Sequence, residues 1–98
     1  MNMQNLMAQA QKMQREITQK QEAIYAMNFI GESEWVKITM NGRKQIQKVE
    51  ITYDGSLDED REMLADMITI AMKDAMNKIE KEIESKLGMY SKQLGGLM

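Results

Sequence analysis

The sequence predicts an α+β fold: a long N-terminal helix, a three-stranded antiparallel sheet and a long C-terminal helix. Three observations predict it. Apolar residues recur at helical spacing toward both ends, they alternate with a period of two in the middle, and the turn-forming pairs Asn41-Gly42 and Asp54-Gly55 fall in the strand region and at its end. The 98 residues fit one domain, 1–98. A chain this short buries only about two-thirds of the surface that its unfolded form exposes, so self-association is expected.

The first helix is read from Asn2 to about Met27. Met3, Leu6, Met7, Ala10, Met13, Ile17, Ile24 and Met27 fall at steps of three and four, with a gap at Lys20-Gln21, and the other positions carry mostly good helix formers. A helix of that length is close to 40 Å long, too long to rest wholly on so small a body. Part of its stripe must meet another helix, in the same chain or in a second copy.

Beyond it the period changes. A short strand is expected around Asn28 to Glu32, with Phe29 or Ile30 turned inward and Gly31 as a break. Val36, Ile38 and Met40, then Val49, Ile51 and Tyr53, alternate with polar or exposed positions, and Asn41-Gly42 supplies the residues that favour positive φ in a hairpin turn. Ile46 is out of phase with Val49, which predicts a β-bulge or a later start to the strand.

Ser56 to Glu59 reads as a capping box that opens the second helix, and acids follow in its first turn, where the helix dipole favours them. Met63, Leu64, Met67, Ile68, Ala71, Met72, Ala75, Met76, Ile79, Ile83 and Leu87 keep helical spacing up to Gly88. The first half of this stripe is broad enough to cover a sheet. The second half narrows among charged flanks, as suits a helix pair projecting from the core. Residues 88–98, with Gly95-Gly96 and little periodicity, are expected to form a flexible tail.

Composition excludes several functions. There is no Cys and no His, which removes the commonest general bases, nucleophiles and soft metal ligands, and the acids at 58–62 lack the spacing of a calcium loop. No enzyme, cofactor or metal site is expected. No stretch approaches the roughly 20 apolar residues of a membrane span, and the N-terminal residues are Gln-rich, so a cytoplasmic location is expected.

The net charge of −2 is unevenly spread. Residues 54–74 carry seven acids against two bases, whereas 1–27, 28–53 and 75–98 are each +1. The long helices outside the acidic block are therefore free to meet a polyanion. Lys12, Arg15 and Lys20 lie off the apolar stripe of the first helix, and Lys78, Lys81, Lys86 and Lys92 punctuate the end of the second. The twelve Met residues read chiefly as adaptable packing along helix faces, and Trp35 as a packing or interface residue.

Asn5 to Gln14, Val36 to Gly42, Val49-Glu50-Ile51, Asp60 to Met67, Ala71, Asn77-Lys78 and Leu94 to Leu97 together resemble the YbaB/EbfC family of bacterial nucleoid-associated proteins. The resemblance runs in order along the chain. It implies a tweezer-like homodimer, with strands of both subunits in the body and helical prongs projecting from it. It also implies binding of duplex DNA with little sequence preference. Carried onto this sequence, the DNA-binding residues are Lys12, Arg15, Lys20, Lys81 and Lys86.

The expected function is thus nucleoid organisation or modulation of transcription through phosphate contacts, with duplex DNA and a second copy as partners and no small-molecule substrate. The alternative is a protein-interaction adaptor whose Met-rich grooves hold a partner helix, DNA contact being incidental.

Overall fold

Helix α1 spans Met3–Tyr25. Asn2 caps it, its side-chain oxygen accepting the Gln4 amide at 3.0 Å. Three strands follow, β1 (Asn28–Glu32), β2 (Val36–Asn41) and β3 (Ile46–Ile51), and then α2 (Leu57–Gly95). The protein is described by a computed structural model covering residues 2–53, 55 and 57–95. The predicted cap Ser56 lies outside the described residues. The start of α2 is bent at Asp60, whose φ of −111° and ψ of 19° are not helical, and the Tyr53 hydroxyl donates to the Asp60 carboxylate.

The sheet has the order β1-β2-β3 and is antiparallel throughout. Its register places Phe29, Gly31, Val36, Ile38, Met40, Ile46, Val49 and Ile51 on one face. The bulge predicted from the phase of Ile46 is present: Thr39 pairs with Lys48 and Met40 with Ile46, leaving Gln47 as the extra residue. Helix α2 covers this face over β1 and β2. Ile24, Phe29, Val36, Ile38, Met40, Ala71, Ala75 and Ile79 form the buried core beneath it.

The helix can come so close because its contact residues are small. A Cβ at Gly31 would stand 2.0 Å from the Ala71 carbonyl oxygen and 2.7 Å from Ala75 Cβ. Gly31 is therefore the crossing point of strand and helix inside β1, and not the break expected from its sequence. Strand β3 lies outside this cover. Ile46, Val49 and Ile51 remain 49%, 47% and 48% exposed on the same face whose other half is core.

The hairpin loop also departs from expectation. Gly42 does not have positive φ; Lys44 does, at 65°. The Lys44 amide bonds the Asn41 carbonyl, Asn41 and Gln45 pair, and the Asn41 side chain accepts the Arg43 and Gln45 amides, so a tight turn is followed by one left-handed residue. Gly42 serves a contact instead, since a Cβ there would lie 2.0 Å from the Ile24 carbonyl oxygen. Arg43 over the Tyr25 ring (4.4 Å) and Lys44 with Glu80 (3.7 Å) fix the loop to both helices.

Helix α2 runs through Gly88, where a stop was expected, and continues to Gly95. Tyr90 holds this extension against α1: it is buried, its hydroxyl donates to Glu16 (3.1 Å), and Lys20 donates to it (3.1 Å). The two antiparallel helices form a prong that extends the molecule to 70 × 23 × 14 Å. The radius of gyration is 19.6 Å, against about 13 Å for a globule of this length.

Candidate nucleic-acid interface

Two shallow depressions follow one another along the prong. Asn28, Phe29, Ile30, Lys78, Lys81, Glu82 and Ser85 line the first, beside the outer edge of β1. Gln9, Lys12, Met13, Glu16, Met89 and Tyr90 line the second, across the helix seam. Glu82 and Met89 are seven residues apart and share a helix face, so both depressions open on the same side. The stretch from Lys78 to Met89 is about 16 Å at the helical rise. Duplex DNA presents about ten phosphate charges over that distance.

The predicted site residues divide by what they already touch. Lys12, Arg15 and Lys81 have no ion-pair partner among the described residues, and all three are exposed. Lys86 stands 3.9 Å from Glu82 and is 55% exposed, a loose surface pair that gives way at little cost. Lys20 is different: it is half-buried, bonded to the Tyr90 hydroxyl and 4.9 Å from the Tyr90 ring centroid. The geometry places Lys81 in the first depression and Lys12 in the second, Lys86 lies in neither lining, and Lys20 ties the helices of the prong together.

Sequence reasoning did not single out Lys78 as a site residue. Its ammonium donates to the Ile30 carbonyl at 2.6 Å and pairs with Asp74 at 3.2 Å. Only the spacing of Asp74 and Lys78 by four residues was readable in the sequence; the strand edge they meet was not.

The open sheet face offers anions little. Lys37 pairs with Glu32 at 3.6 Å and Lys48 with Glu50 at 2.9 Å, with Glu34 nearby. The hydrogen bond and charge of Lys48 hold the Glu50 carboxyl below its ordinary range. Among the described residues there is no group of three or more potential metal ligands, and no helix is long and apolar enough to cross a membrane.

Residues 1–94 match the family model of the YbaB/EbfC DNA-binding family. The chain belongs to that family. Among YbaB/EbfC proteins, the chain is 42% identical to a nucleoid-associated protein of Enterococcus faecalis, over 97% of this chain and 93% of that one. It is 41% identical to a nucleoid-associated protein of Lactococcus lactis, over 96% and 97% of the two chains. Both relatives are named nucleoid-associated proteins, and the family is described as DNA-binding. The same fold occurs in the crystal structure of an uncharacterized Helicobacter pylori protein, with a TM-score of 0.73 at 23% identity, covering 87% of this chain and 91% of that one.

Proposed function

We propose that this YbaB/EbfC protein works as a homodimer in the bacterial nucleoid, gripping duplex DNA through phosphate contacts from its prongs with low sequence specificity. It would thereby organise the nucleoid or modulate transcription. The observation that carries the reading is the sorting of cations. Those on the sheet face are neutralised by neighbouring carboxylates, whereas Lys12, Arg15 and Lys81 on the prong have no such partner among the described residues.

The half-exposed Ile46, Val49 and Ile51 support the second copy, because they continue a core face that α2 does not reach. Two copies double three free cations to six. Six phosphate contacts give an affinity that falls about a thousandfold between 50 and 200 mM salt. Fluorescence anisotropy with a random-sequence duplex tests this. The Lys12→Ala/Arg15→Ala variant should flatten the salt slope, and binding indifferent to both salt and substitution would overturn the reading.

Exposed Met3, Met7 and Met89 favour a second reading, in which the prongs hold a partner helix in a Met-rich groove. One stoichiometric protein recovered from nuclease-treated lysate, and lost on Met7→Gln/Met89→Gln, would support it over DNA binding.

A further inference from the structure

The sheet has two edges, and the structure treats them differently. On β1 the outward backbone groups belong to Asn28, Ile30 and Glu32, since the Ser33 amide turns inward to the Val36 carbonyl. Two of those groups are occupied from α2. Asp74 accepts the Glu32 amide at 2.9 Å, and Lys78 donates to the Ile30 carbonyl at 2.6 Å. The two side chains also pair with each other at 3.2 Å, one helical turn apart.

Strand β3 has no such cover. Beyond the bulge its outward backbone belongs to Val49 and Ile51, and no side chain among the described residues bonds it. Its apolar side chains are half-exposed as well. An unpaired edge beside uncovered apolar surface is a template for another strand.

We propose that Asp74 and Lys78 form a lock that closes β1 to strand addition, so that copies of this chain meet only through β3. This rests on the self-association part of the proposed function and not on DNA binding. Its consequence concerns symmetry. With β3 alone open, two copies meet like to like and the assembly closes at the dimer. With both edges open, the β3 edge of one copy could pair with the β1 edge of the next, a head-to-tail contact that does not close and grows into filaments. The occupant of an unlocked β1 edge is thus the β3 edge of a second copy.

Lys78 also lines the depression that holds Lys81. The lock therefore stands beside the proposed phosphate contacts, with its ammonium already engaged by the strand edge.

The test uses the full chain without DNA. Static light scattering should show wild type at a constant mass across concentration. Asp74→Ala/Lys78→Ala should retain its far-ultraviolet circular dichroism while its mass rises several-fold with concentration, and adding Val49→Lys should suppress that rise. A double variant that keeps the wild-type mass, or whose growth ignores Val49→Lys, overturns the proposal.

Amide hydrogen exchange on wild type gives an independent reading should the double variant fail to fold. The Glu32 amide should exchange at least about tenfold more slowly than a free strand edge. A Glu32 amide exchanging as fast as an open edge overturns the lock. A constant wild-type mass equal to one protomer would overturn the dimer itself. Loss of DNA binding with the lock intact would remove the nucleic-acid reading and leave this one standing.

Discussion

Gly42 meets Ile24 so closely that a Cβ at position 42 would lie 2.0 Å from the Ile24 carbonyl oxygen and 2.9 Å from its Cγ2. The hairpin loop is seated on the last turn of α1 through this contact. Gly42→Ala cannot be absorbed by turning a side chain, because the obstacle is backbone. It should cost about 2 kcal/mol or more, lowering Tm by roughly 8 °C or more for a domain of this size. Calorimetry checks it, with a Tm unchanged within a degree as the contrary outcome.

Two residues on, the sign reverses. Lys44 holds a φ of 65°, a conformation that costs a side-chain-bearing residue about 1–2 kcal/mol. Lys44→Gly relieves that cost and gives up chain entropy and one exposed pair with Glu80. A net gain of up to about 1 kcal/mol is expected, read in the denaturant midpoint at unchanged m-value.

Removing one oxygen should loosen the prong. Tyr90→Phe keeps the ring in the seam but deletes the bonds to Glu16 and Lys20. The expected loss is about 1–2 kcal/mol, accompanied by faster amide exchange in α1 around residues 13–20. Equal exchange in both proteins would count against the role given to the hydroxyl.

Salt dependence should separate the cations by location. Lys81→Ala is expected to reduce the salt slope of duplex binding by about one for each phosphate no longer neutralised, and Lys12→Ala likewise. Lys48→Ala, on the neutralised sheet face, should leave the slope alone. A slope that drops equally for Lys48 and Lys81 would place the DNA on the sheet.

Asp74 supplies a pH signature. The Glu32 amide, and then Lys78, hold its carboxyl below the ordinary 3.8. A depressed carboxylate pKa contributes stability that is fully present above the unfolded value and is lost as pH falls through the folded value. Its contribution should therefore be intact at neutral pH and vanish only below about pH 3.8. An NMR titration should find the Asp74 midpoint below 3.8 and show it rising in Lys78→Ala; a midpoint at or above 3.8 in wild type would contradict the two contacts.

The strands were legible because their signals are local. Val36, Ile38 and Met40 declare their face by alternation, and the mistimed Ile46 announces the bulge at Gln47. What went astray depends on distant neighbours. The Asn41-Gly42 pair suggested positive φ at the glycine, whereas contact with Ile24 requires the missing side chain, and Lys44 takes the left-handed position. Gly88 suggested a helix stop, and Tyr90, reaching Glu16 and Lys20 74 and 70 residues away, carries α2 past it. The site divides in the same way. Lys12 and Lys81 were visible as cations off an apolar stripe, but the commitment of Lys20 to a tyrosine and of Lys78 to a strand edge arises only from the fold.

A body 70 Å long and 14 Å thick moves through water unlike a ball of equal mass. It drags more solvent and tumbles slowly end over end. A gel-filtration column responds to that drag, so a single protomer should elute where a heavier rounded protein would. Elution volume alone would overcount the copies, and their number is better found by weighing the intact assembly.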